Sequence, residues 1–187
     1  MAGVRVIAGS ARGRRLRLVP GEGTRPITDR VKEALFNILG ADIRGAGILD
    51  LFAGTGSVGI EALSRGAARA VFVDIHLRAV ETIQANLELT GLSQMAQVIR
   101  GEAFGYLRSG SSRPFDYVYL APPQYQGVVP KVLTAIDSRP SILNPDGWVI
   151  AQLDPHEELQ ASLLHLVEID RRRYGNTLLV FYELPGG

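Results

Sequence analysis

The chain has 187 residues, 46% of them hydrophobic and 21% charged, with a formal net charge of +1; that is enough apolar material for one substantial core and short for two domains. No run of about 18 apolar residues and no apolar leader before a small-residue cleavage site occurs, so a membrane span and a secretory signal are not expected, and a cytoplasmic or organellar-matrix protein is. Cysteine is absent, which excludes disulfides, thiolate zinc sites, iron–sulfur clusters and cysteine nucleophiles. The histidines, His76, His156 and His165, lie far apart without ligand spacing, and Lys32 and Lys131 lack the glycine spacing of a phosphate-binding P-loop. Neither a metal nor a nucleoside triphosphate is expected.

Charge is distributed unevenly along the chain. Residues 1–32 carry eight basic groups, Arg5, Arg12, Arg14, Arg15, Arg17, Arg25, Arg30 and Lys32, against Glu22 and Asp29, while the remainder carries twelve against seventeen. A basic arm on an acidic body reads as a polyanion-binding element, because guanidinium forks match phosphate geometry and displace counterions. The plainer reading is a solvated strand, since arginine outnumbers lysine 18 to 2 throughout. Val4 to Ala8 and Arg14 to Val19 are short strand-like runs around a glycine-rich turn, which suits a hairpin; in the second, Leu16 and Leu18 alternate with Arg15 and Arg17. Thr28 or Asp29 can cap a helix through about Leu39, with Val31, Leu35, Ile38 and Leu39 on one stripe.

From there buried strands alternate with helices. Ile48 to Phe52, Ala70 to Val73, Gln97 to Ile99, Tyr117 to Leu120 and Trp148 to Leu153 are predicted strands; Ser57 to Arg65, Leu77 to Leu89, Ala103 to Leu107 and Pro130 to Ile136 are predicted helices. Such alternation implies a mostly parallel sheet with helices on both faces. Leu164 to Tyr174 and Thr177 to Tyr182 flank Gly175-Asn176 and close the chain as an antiparallel hairpin. The expectation is one domain over 1–187, a basic hairpin at 1–24 followed by a ligand-binding core at 25–187.

Within this pattern an apolar strand, Ile48-Leu49-Asp50-Leu51-Phe52, runs into Ala53-Gly54-Thr55-Gly56-Ser57-Val58-Gly59 at a helix start. Glycines there let the backbone turn sharply and approach a ligand at the carboxyl end of the first core strand. Asp74, which ends the next strand twenty residues after Gly54, can accept both ribose hydroxyls of an adenosine-type ligand. Asp50 separates the two candidate ligand classes. A carboxylate four residues before the first glycine suits the ammonium and sulfonium of S-adenosylmethionine and would repel a dinucleotide pyrophosphate. An empty loop whose glycines only shape a turn is the remaining alternative. Further on, Glu102, beside Ala103, can receive an adenine amino group, although a glutamate also suits a helix N-terminus electrostatically.

After the strand ending at Leu120 comes Ala121-Pro122-Pro123-Gln124-Tyr125. Paired prolines past a core strand fix the backbone and leave carbonyls at the crevice, a rigid rim able to accept hydrogen bonds from an exocyclic amine beside a stacking ring. A plain strand-to-helix turn would have the same outline.

Taken together, Arg5-Val6-Ile7-Ala8-Gly9 with Gly13-Arg14-Arg15-Leu16, the block from Arg25-Pro26-Ile27-Thr28-Asp29-Arg30 through Leu39, and Leu49-Asp50-Leu51-Phe52-Ala53-Gly54-Thr55-Gly56-Ser57 through Glu61-Ala62-Leu63-Ser64-Arg65-Gly66-Ala67 resemble the RsmD family. These are small-subunit ribosomal RNA guanine-N2 methyltransferases of the class I, Rossmann-like fold. The resemblance implies that Asp50, Gly54, Gly56 and Asp74, flanked by Ala53, Ile75, Glu102 and Ala103, hold S-adenosylmethionine. It implies that Thr28 and the nearby Arg25 and Arg30 border cofactor and RNA, and that Arg5, Arg12, Arg14, Arg15 and Arg17 of the hairpin meet ribosomal RNA or a small-subunit assembly intermediate. It sets no oligomeric state. The family's rim reads Asp/Asn-Pro-Pro-Tyr; here Ala121 holds the first place and Gln124 the fourth, with Tyr125 displaced by one. The expected reaction is attack of the guanine N2 amine on the sulfonium methyl, with the residues from Ala121 to Tyr125 as catalytic rim. A non-catalytic RNA-binding assembly protein is the alternative.

Overall fold

The computed structural model of the chain describes residues 4–21, 26–111, 113–157 and 159–186. Its strands are β1 (Gly47–Leu51), β2 (Arg69–Asp74), β3 (Ala96–Arg100), β4 (Phe115–Leu120), β5 (Leu143–Leu153), β6 (Val167–Tyr174) and β7 (Thr177–Glu183). They form one seven-stranded sheet in the order β3-β2-β1-β4-β5-β7-β6. β1 to β5 pair in parallel, and β7 runs antiparallel to both β5 and β6. Strand order reverses at β1, whose successors leave to opposite sides, so the crevice above the carboxyl ends of β1 and β4 is where such sheets bind ligands.

The helices are α1 (Asp29–Leu39), α2 (Ser57–Ser64), α3 (Leu77–Thr90), α4 (Ala103–Ser109) and α5 (Val128–Asp137). α1 starts where Thr28 Oγ1 accepts the Val31 amide at 3.3 Å and stops at Gly40. Every residue of α2 is buried, its polar Ser57, Glu61 and Ser64 included. Alternate strand positions divide between two apolar clusters. Ile48, Phe72 and Tyr119 pack with Leu35 of α1, Ile60 of α2 and Ile83 of α3; Leu49, Val73 and Val118 pack with Leu107 of α4 and Leu133 of α5.

Three segments differ from the sequence expectation, each for a hydrogen-bonding reason. In place of two paired N-terminal strands there is one antiparallel bridge, Arg5 to Arg15, supported by Val6 N to Arg14 O at 2.9 Å and Leu16 N to Val4 O at 2.8 Å. At the turn end Glu61 accepts the Ala8 amide, the next to face the partner run, along with that of Ile7, while the outward-facing Arg17 amide is held by Asn86. β5 begins five residues before Trp148, at Leu143: Asn144 Nδ2 donates to Asp116 Oδ1 at 2.8 Å, holding a turn-like stretch against β4. β6 begins only at Val167, since the amides of Leu164, His165 and Leu166 are bound by the Asp137 carboxylate at 2.7–2.8 Å. Among the described residues no helix is long and apolar enough to cross a membrane.

Candidate active site

The glycine turn leaves β1 through Phe52, a non-glycine residue at φ 62°, followed by Gly54 at 55° and Gly56 at 76°, the last capping α2. Left-handed backbone at a bulky residue costs of order 1–3 kcal/mol and persists only where its surroundings enforce it. Here the Ala53 amide is tied to Val73 O at 3.1 Å, which draws the turn against β2. A Cβ on Gly54 would meet nothing within 4 Å, so the turn faces open space, whereas a Cβ on Gly59 would lie 2.3 Å from the Phe72 ring. The third glycine of the motif therefore serves the close approach of α2 to the sheet.

Two carboxylates flank this turn. Asp74, at the end of β2, accepts the Gly54 amide on Oδ2 and the His76 amide on Oδ1, each at 2.9 Å. A carboxylate has about four lone-pair sites, so each oxygen retains acceptor capacity for a ligand. Asp50 is 2% exposed and accepts the Gly59 amide at 3.2 Å. Burial pushes its carboxyl well above the ordinary carboxylate range; the Gly59 hydrogen bond opposes this, and nearby Asp74 adds to it. A buried acid of this kind ionises readily only when a cation is brought beside it. On neighbouring β4, Tyr119 is paired in register with Asp50 and hydrogen-bonds Gln152 of β5.

The other expected ligand residues are spread along the same edge. Ala53 and Ala103 are buried in the two apolar clusters, and Ile75 is 56% exposed. Gly101 N donates to Asp74 O at 3.0 Å, which brings the end of β3 beside Asp74. Glu102 is exposed, with Arg108 at 3.9 Å, and borders a hollow of about 490 Å³ that Ile99, Gly101 and Tyr106 also line. Thr28 is exposed and caps α1.

On the far side of β1, the rim after β4 has Ala121 half-buried, Pro122 buried, and Pro123, Gln124 and Tyr125 exposed. Tyr125 sits at φ 60° and is 67% exposed, yet it is held at both ends. Its amide donates to Glu157 Oε2 at 3.0 Å, and its hydroxyl hydrogen-bonds Asp154, which raises the phenol's pKa. Asp154, just past β5, also accepts the amide and ring nitrogen of His156 at 2.9 and 2.8 Å. These contacts, the His156 amide first, hold its carboxyl below the usual range. The brace formed by Asp154 and Glu157 has no signature in the sequence.

Of the arginines, Arg12, Arg14, Arg15, Arg17 and Arg30 are exposed, and Arg5 pairs with Asp29 at 2.8 Å; Arg25 lies outside the described residues. Beneath them the arm's backbone is seated on buried polar side chains. Glu61, wholly buried, accepts the Ile7 and Ala8 amides at 2.8 and 3.0 Å and pairs with Arg65 at 2.8 Å. Ser64 Oγ donates to Ala8 O at 2.6 Å and accepts the Ala11 amide at 3.0 Å. Any Cβ on Gly9 would overlap Ser64 O, so the arm can lie this close only with glycine there. The one sequence signal for this seat is Glu61 in the middle of an otherwise apolar helix. Lys32, counted with the arm's surface charge in the sequence, is instead fully buried. Among the described residues no group of three metal-ligating side chains occurs.

Known proteins resemble the chain over nearly its full length. The family model described as Conserved hypothetical protein 95 matches residues 4–183. A Bacillus subtilis protein named "Putative rRNA methyltransferase YlbH" is 40% identical over 185 residues, covering 98% of this chain and all of the relative. The Haemophilus influenzae protein named Ribosomal RNA small subunit methyltransferase D is 39% identical over 158 residues, 83% of this chain and 81% of its own length. Among solved structures, one titled "Putative methyltransferase yhhF", from Escherichia coli, superposes with a TM-score of 0.86 at 28% identity, covering both chains fully. An RNA methyltransferase from Salinibacter ruber, solved with S-adenosyl-L-homocysteine, has a TM-score of 0.66 at 18% identity over 87% of this chain and 95% of its own, a likeness of fold. With its glycine turn and paired acids at the switch point of a class I methyltransferase sheet, the chain belongs to the RsmD family.

Proposed function

We propose that the chain is an S-adenosylmethionine-dependent methyltransferase that methylates the exocyclic N2 of a guanine in small-subunit ribosomal RNA. The observation that carries this reading is the Asp50–Gly54–Asp74 constellation. A turn with open space above Gly54 lies beside Asp74, which has acceptor capacity for two ribose hydroxyls, and beside Asp50, a buried acid suited to a cationic amino acid end. These donors and acceptors fit S-adenosylmethionine, which supplies a methyl on a sulfonium centre when bound. Ala53, Gly56, Ile75, Glu102 and Ala103 complete its cradle, with Thr28 at the border.

The protein's own part is positioning and charge stabilisation. Backbone carbonyls near Leu120 and Pro122 accept the N–H groups of the amine, so that its lone pair points along the line of transfer; the Gln124 amide assists, and the braced Tyr125 ring stacks on the base. The exposed arginines of the arm, with Arg25 and Arg30, bind RNA phosphates. We read the chain as one domain, with the basic arm, described over residues 4–21, on a sheet covered by helices on both faces, acting in the cytoplasm on ribosomal RNA or an assembling small subunit.

Methyl transfer from labelled S-adenosylmethionine to unmodified small-subunit RNA, alongside Ala121→Asp, tests the proposal. Restoring an aimed acceptor should raise the rate, by up to about 10²-fold on the scale of oxyanion-hole donors. Because Ala121 removes the family's side-chain acceptor, the second reading is an RNA-binding assembly protein. Binding of S-adenosylhomocysteine and RNA with no transfer by either variant would favour it.

A further inference from the structure

Two buried side chains that the reaction does not use each hold the basic arm and the glycine turn at once. Lys32 Nζ donates to Arg5 O at 2.6 Å and to Ser57 Oγ at 2.9 Å, with Glu61 Oε2 at 3.5 Å. Asn86 of α3, equally enclosed, accepts the Arg17 amide on Oδ1 at 2.7 Å; its Nδ2 donates to Arg17 O at 3.1 Å and to Thr55 O at 2.9 Å. Arg5 and Arg17 lie towards opposite ends of the arm, and Thr55 and Ser57 bracket Gly56. Ser64, by contrast, touches the arm but not the turn, and Glu61 reaches the turn only through Lys32.

A fully buried ammonium is a poor device for stability alone, because desolvation cancels most of its attraction to Glu61 and an apolar side chain would serve as well. Burial does lower the pKa of Lys32, with Glu61 opposing the shift. What an apolar residue could not do is accept geometric instruction from both segments. The arm's apolar anchors in the core, Val4, Val6, Ala11 and Leu16, are mostly small, so its seat depends heavily on these buried polar contacts.

We propose that Lys32 and Asn86 are positioning residues that couple the arm to the turn, so that RNA held by the arm's arginines tightens nucleoside binding at the turn and the nucleoside tightens RNA binding equally. The inference rests on the arm meeting RNA and the turn meeting the cofactor. Linkage requires the two effects to be the same factor, and couplings of this kind are typically about 5-fold or more.

The experiment is calorimetry of S-adenosylhomocysteine with and without an unmodified small-subunit ribosomal RNA transcript. The wild-type chain should bind the nucleoside about 5-fold or more tightly when RNA is present, and Asn86→Ala and Lys32→Met should bring that ratio toward one. Ser57→Ala, which removes only the turn's acceptor for Lys32, is the mild variant and should lower the ratio in part. A ligand-free measurement accompanies it. Ser64→Ala, which releases the arm alone, should speed hydrogen exchange at the Gly13 and Leu16 amides and also at Gly54 and Gly56; exchange confined to the arm would overturn the coupling. So would a wild-type ratio of one with both ligands bound, or an unchanged ratio in Ser57→Ala and Asn86→Ala. Absence of nucleoside binding by the wild type would instead sink the functional reading beneath it.

Discussion

Replacing Asp74 tests the site most directly, because its carboxylate has an observed task, binding two backbone amides, and a proposed one, binding a ligand's ribose, that can be separated. It already binds the Gly54 and His76 amides at 2.9 Å each, and a ligand's ribose hydroxyls would use its remaining lone pairs. Hydrogen bonds to a charged acceptor contribute roughly 1.5–3 kcal/mol each. Asp74 is 9% exposed, so in Asp74→Ala water rehydrates part of what is lost, and a stability loss of about 2–4 kcal/mol is expected for the two backbone contacts. Asp74→Asn keeps one acceptor but turns its amide N–H₂ toward the other backbone donor, and should fall between. Losing both ribose contacts should weaken S-adenosylhomocysteine by about 10²-fold or more, since every 1.4 kcal/mol is tenfold. Urea denaturation reads the first quantity and calorimetry on the folded variants the second. Nucleoside affinity within about threefold of wild type in folded Asp74→Ala would refute the assignment, because such a factor is less than one charge-assisted hydrogen bond.

Three other perturbations isolate other parts of the mechanism. Replacing Arg14, Arg15 and Arg17 with alanine should weaken RNA binding and reduce the slope of log K against log salt by about 2 to 3, leaving nucleoside affinity unchanged; an unaltered slope in filter-binding assays would count against the arm. Asp50 ionises in the folded chain well above 3.8, so over the interval above that value the folded state holds a proton that the unfolded chain has lost, and this group's contribution to stability falls as pH rises through it. A cationic ligand end favours the carboxylate, so nucleoside binding should release a proton and strengthen with pH across the same interval; calorimetry in buffers of different ionisation enthalpy measures the release, and Asp50→Asn should abolish it. Gly59→Ala places a methyl carbon 2.3 Å from the Phe72 ring and should cost about 1–3 kcal/mol by overpacking, read as a lowered denaturation midpoint.

The buried strands and the glycine turn were legible because their signals are local. A run such as Ile48 to Phe52, apolar but for Asp50, states burial on both faces, and glycine at the ends of such a run states a turn. Asp74 was legible for the same reason, since its spacing from Gly54 follows from one strand–turn–helix–strand unit. The displaced Tyr125 could be seen in the sequence, but not its restraint. Asp154 and Glu157 reach it from the segment after β5, some thirty residues later, and no local pattern joins them.

The arm shows the division most clearly. Its alternation of leucine with arginine predicted a ribbon, and the chain does turn back on itself through the Arg5–Arg15 bridge. Where the ribbon ends at its turn was decided by Glu61, which takes the Ala8 amide that a longer ladder would have used, and how its outer edge is seated was decided by Asn86, which holds the Arg17 backbone. Composition and periodicity determined an α/β chain with a ligand-binding turn, because backbone preference and burial act over a few neighbouring residues. Which face of α1 carried a charge inward, and which polar groups met across 25 to 69 residues of sequence, only the packed sheet and helices could decide, since a buried lysine or asparagine is tolerable only where every one of its partners has already been brought into place.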